Sequence, residues 1–199
     1  GSITLSVGDG DTDVGGDVSL SAGKSIAEDE GDSMTGGAIS LQSGESALTS
    51  SGGISMVTPN AGSAGISGNI AFKSGVSSSG NTGTIQLTTG NSSGGKGGSI
   101  TLSVGDGDTD VGGDITVNAG HTTADSKAGG VVAIQSGGST NGRSGKVSLS
   151  TLTGGVSGNI EMETGVSSVG ASGVITLKTG TSSGGKGGSI TLSVGDGDT

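Results

Sequence analysis

The chain of 199 residues has no cysteine, tryptophan or tyrosine, and only one phenylalanine (Phe72), one proline (Pro59) and one histidine (His121). Without cysteine there is no disulfide scaffold and no thiolate metal site, and the redox compartment stays open. With a single histidine, in the turn AGHTTAD, and no G-x-S-x-G elbow, nucleophilic relay chemistry has almost nothing to work with. The stretches SSGGKGGSI (92–100 and 182–190) miss the phosphate-loop pattern, because glycine follows each lysine. An enzyme is not expected. Basic residues are also scarce: 8 Lys+Arg against 18 Asp+Glu give a net charge of −10, so the basic stripe that nucleic-acid binding needs is missing. Nothing approaches the ~18 consecutive apolar residues of a membrane-spanning helix.

What the chain has is glycine, 47 residues of it, and repetition. Glycine and serine richness without strict period reads as a disordered linker. Here a period exists. The twelve residues GSITLSVGDGDT occupy 1–12, 98–109 and 188–199. They define units 1–97 and 98–187 and the start of a third at 188–199. A chain opening and closing inside one motif is expected to be a window, 1–199, on a longer array.

A shorter period lies beneath. Each unit divides into six segments, most of them near the length of GSITLSVGDGDTDVG, and each opens with two apolar residues spaced i, i+2. Ile3/Leu5, Ile39/Leu41, Ile70/Phe72 and Ile85/Leu87 are examples in the first unit, and Ile100/Leu102, Ile160/Met162 and Ile175/Leu177 in the second. Alternation at period two predicts a short strand with one apolar face. The remainder of each segment is glycine and serine, suited to tight corners. The expected fold is all-β: a parallel β-solenoid (β-helix) with coils of about 15 residues, six coils per long repeat and a thin, flattened cross-section. The acidic stretch KSIAEDEGDSMTG (24–36) is expected to bulge from one rim.

The best candidate for chemistry is GDGDTDVGGD, with Asp9, Asp11 and Asp13 in the first unit and Asp106, Asp108 and Asp110 in the second. Alternating aspartates can assemble hard oxygen ligands for calcium, and the run resembles the start of an EF-hand loop. It departs where that loop wants glycine (Val14, Val111) and where it wants a bidentate glutamate (Leu20, Val117). The competing reading is a solvated acidic turn. Thr4, Thr101, Thr116, Thr176 and Thr191 invite comparison with ice-binding threonine arrays, but Glu161, Glu163, Lys73 and Lys178 interrupt any regular lattice. Asn91-Ser92-Ser93 is one N-glycosylation sequon.

The phrase SGNIEMETGVSSVGASGVITLKTG (157–180) resembles the long Gly/Ser-rich β-strand-repeat proteins of algae and other protists. It is also similar to the repeat regions of bacterial surface adhesins. The resemblance spans the whole chain and implies an extracellular or cell-surface structural role, as a segment of a long filament. The implied partners are further copies of the same repeat, end to end, or other filament subunits. The alternative is a binding module, either calcium-dependent in adhesion or, further off, ice-binding.

Overall fold

A computed structural model describes residues 1–11, 14–26 and 35–197. The chain divides into two units, Gly1–Thr101 and Leu102–Thr199. Among the described residues there is no helix and no strand. The expected parallel β-solenoid is therefore not the fold; the described residues are coil, built from one local motif repeated within each unit. Most of the acidic stretch expected to bulge, residues 27–34, lies outside the described residues.

The motif is an extended apolar segment followed by a loop closed at its neck. The neck joins a small residue just before one glycine to a second glycine further on. In Gly1–Thr101 the pairs Val7/Gly16, Ser43/Gly52, Ser74/Gly83 and Thr89/Gly98 meet; in Leu102–Thr199 the pairs are Val104/Gly113, Ser136/Gly145, Thr164/Gly173 and Thr179/Gly188. All eight are nine residues apart. Ala22/Gly37 and Ala119/Gly130 close longer loops in the same way. Between the necks the chain bends tightly, for example at 47–49, 78–80 and 93–95 in the first unit and 108–110, 140–142 and 183–185 in the second. Gly80, at φ +111°, supplies one bend with a conformation that a side chain would oppose.

At the tightest necks a side chain in place of glycine would force its neighbour to shift. A methyl group on Gly113 would lie 2.8 Å from Val104 Cγ1, and one on Gly98 3.3 Å from Thr89 Cβ. Some necks are pinned by a backbone hydrogen bond: Gly52 N–H donates to the Gly44 carbonyl at 2.9 Å and Gly145 N–H to the Gly137 carbonyl at 2.9 Å. The Ser43 hydroxyl adds a bond to the Gly52 carbonyl at 2.9 Å. A ladder would need such bonds in succession on both sides of the strand. Each of these necks makes one backbone bond and stops, since the chain turns away into the loop.

Three copies of one sequence show where side-chain cover comes from. Ile3 is 100% exposed, whereas Ile100 and Ile190 are 51% exposed. Only the latter two follow a closed neck, at Gly98 and Gly188. Val7 and Val104, each packed against a glycine nine residues on, are 46% exposed. Cover is local, supplied by the adjoining loop and not by stacked neighbours. No described hydrophobic residue is buried.

Energetics explain why the alternation builds no interior. Ordering the backbone costs about 1–2 kcal/mol per residue. Complete burial of an aliphatic side chain returns about 1.5–3 kcal/mol, and each segment opens with only two. The recurring apolar pairs state a local conformation. They do not supply the density of contacts that a stacked sheet requires.

The neck predicts a local effect of substitution. A methyl group on Gly130 would sit 3.1 Å from Gly120 N and 3.2 Å from Ala119 Cβ, beside the 2.8 Å bond from Gly130 N–H to the Gly120 carbonyl. Gly130→Ala should open that loop at a cost of about 0.5–1.5 kcal/mol, the net worth of one hydrogen bond. Amide exchange at residue 130 should quicken several-fold, while exchange at residue 145 stays as it was.

Candidate functional site

The loop from Val104 to Gly113 carries the aspartates weighed as calcium ligands or as a solvated acidic turn, and it is described in full. Asp106, Asp108 and Asp110 are all exposed. The backbone bends at 108–110, which breaks the alternation that would have set the three carboxylates along one edge. Gly107 lies where the loop folds back: a methyl group there would be 3.2 Å from the Asp110 carbonyl oxygen and 3.3 Å from that of Val111. This close approach favours glycine at 107. The Asp110 carboxylate bonds the adjoining backbone, its Oδ1 accepting the N–H of the next residue, Val111, at 2.8 Å.

The counterpart at Gly8–Asp17 leaves Asp9 and Asp11 exposed, and Asp13 lies outside the described residues. Among the described residues no three of His, Asp and Glu come together as ligands for a metal ion. The sequence puts the aspartates two apart, but only a loop curving around a centre would make them converge. The second-unit loop is shaped instead by the Val104/Gly113 neck and the Gly107 fold-back, and its carboxylates stand in solvent or bond their own backbone.

Calcium should therefore find no ligand set between 104 and 113. Changing Asp106, Asp108 and Asp110 together to Asn should leave the heat of calcium titration the same as for the parent chain at millimolar calcium. A titration heat lost in the triple variant would restore these carboxylates as ligands.

The remaining polar groups act locally. Ser139 Oγ accepts the Gly142 N–H at 2.8 Å and Ser167 Oγ the Gly170 N–H at 3.1 Å. In the loop 44–52, Ser46 Oγ accepts the Thr49 N–H at 3.0 Å and lies 2.9 Å from the Thr49 hydroxyl. Serine and threonine hydroxyls that take backbone N–H groups two or three residues on are loop formers. His121 is exposed, with Thr122 Oγ1 nearby accepting the Ala124 N–H at 3.2 Å. No cavity opens among the described residues. Asn91, Ser92 and Ser93 of the sequon are exposed at the start of the 93–95 bend.

The neck pairs are the feature that reading the sequence for strands missed. Their signal was present: a small residue before a glycine, then a second glycine nine positions beyond the small one. Alternation directed attention to Ile and Leu, whereas the residues that touch are Ser, Thr, Val and Gly.

Comparison with known proteins finds no matching family, no similar curated sequence and no similar solved structure.

Proposed function

We propose that this chain is a structural component of an extracellular or cell-surface material, with no catalytic role. One observation carries the reading. An apolar pair recurs in every segment and stays exposed, separated from the next by a loop of glycine, serine and aspartate. Such a chain offers many equivalent weak contacts and no unique site, which suits a material more than a receptor or an enzyme. The excess of acidic over basic residues, 18 against 8, supports a hydrated surface between those contacts. The likeness of 157–180 to repeat regions of algal, protist and bacterial surface proteins supports the same location. The exposed sequon at Asn91 is compatible with passage through a secretory route.

Location is the direct test. Antibodies raised against the loop around Arg143 should label intact cells of the source organism, and the labelled material should be sedimentable. Label that appears only after the cells are permeabilised would overturn the proposal.

A further inference from the structure

We propose that Asn141–Gly142 is a self-modification site, where the chain converts its own asparagine to aspartate and isoaspartate, and that the Ser139 hydroxyl paces the reaction. The reaction is independent of the structural role above, since water is its only co-reactant and any location supplies it.

The first step joins a backbone nitrogen to the side-chain carbonyl carbon of the residue before it. Gly142 N attacks Asn141 Cγ, and the new N–Cγ bond closes a five-membered succinimide. The Gly142 amide proton goes to solvent. The Cγ–Nδ2 bond breaks, and Nδ2 takes up a proton and leaves as ammonia. Water then opens the ring. Addition at Cγ gives aspartate, and addition at the main-chain carbonyl carbon gives isoaspartate, its backbone rerouted through Cβ and Cγ. No oxidant or reductant enters.

Sequence singles out the place. Of the seven asparagines, Asn60, Asn69, Asn81, Asn91, Asn118 and Asn159 each precede a residue whose side chain crowds the attacking nitrogen. Asn141 alone precedes glycine, which leaves ring closure unhindered and the backbone free to reach it. All seven are exposed, so access to water does not distinguish them. Asn141 lies in the bend at 140–142, inside the loop closed by the bond from Gly145 N–H to the Gly137 carbonyl.

Ser139 supplies the control. Its Oγ accepts the Gly142 N–H at 2.8 Å. The peptide nitrogen is planar, and so is the succinimide nitrogen, so Cγ must arrive where the amide hydrogen was. Ser139 Oγ lies in that direction, and its bond has to release before the ring can close. Local opening of the turn therefore sets the rate. The same serine-held turn recurs with Ser46 Oγ on the Thr49 N–H at 3.0 Å and Ser167 Oγ on the Gly170 N–H at 3.1 Å. There the preceding residues are Leu48 and Val169, which carry no amide to react.

Incubating the full chain for weeks at neutral pH and physiological temperature tests this, read by peptide mass spectrometry with electron-based fragmentation. Asn141 should be converted about tenfold faster than any other asparagine, giving both aspartate and isoaspartate. Ser139→Ala should quicken conversion about two- to tenfold, the worth of one hydrogen bond, while Ser139→Thr keeps the hydroxyl and the parent's rate. Val169→Asn should create a second reactive site in the turn held by Ser167. Conversion at Asn141 no faster than at the other asparagines, or aspartate without isoaspartate, would overturn the proposal. So would Ser139→Ala no faster than the parent, Ser139→Thr as fast as Ser139→Ala, or an inert Val169→Asn.

Discussion

A calorimetric scan of the dilute, monomeric chain should trace no unfolding endotherm. A globular protein of this length absorbs about 0.7 kcal/mol per residue near 60 °C, roughly 140 kcal/mol in all, in one cooperative peak. That heat comes from exposing an interior, and here no described residue is buried. The surface of 20009 Å² lies nearer the ~27,000 Å² of a fully unfolded chain of this mass than the ~8,200 Å² of a compact one. The necks offer single hydrogen bonds at separate places, so they should open independently and spread their small heats over a broad slope. Leu102 sharpens the test. In an inward aliphatic column, Leu102→Asp would bury an unpaired charge and cost several kcal/mol. At 71% exposed it sits in water, and the substitution should leave the trace unchanged. A cooperative peak abolished by Leu102→Asp would mean that an interior exists after all.

The local conformation was legible in the sequence, and the long-range arrangement was not. The alternating pairs mark the extended segments, and glycine and serine mark the bends between them, as at 93–95 and 183–185. What the alternation could not settle is whether extended segments pair. Pairing depends on how much each segment contributes beyond the entropy of ordering it, and two aliphatic side chains contribute too little. A repeat of the same pattern does not change that balance. The identical GSITLSV segments at 1–7 and 98–104 make the point, because Val7 and Val104 have the same partial cover, each from a glycine nine residues on. The shape of the aspartate loop was not legible for a related reason. Ligand spacing describes residues along the chain, whereas the loop's shape is fixed by Val104 on Gly113 and by the carbonyls folded over Gly107.

Trypsin should cut the native chain at all of its basic residues, with rates within a few-fold of one another and of those in short peptides. The eight sites are Lys24, Lys73, Lys96, Lys127, Arg143, Lys146, Lys178 and Lys186, and every one is exposed. In a stable globular domain, cleavage waits for opening, and the open fraction is on the order of 10⁻³ or less, which slows digestion at least a thousandfold. A protease needs a stretch of extended, accessible backbone. The segments around Lys73 and Lys178 are already in that form, and Lys96 and Lys186 stand beside exposed bends. Mass spectrometry of a brief digest should therefore find all the limit fragments together, with no long-lived core. A stable fragment in that digest would contradict the coreless chain.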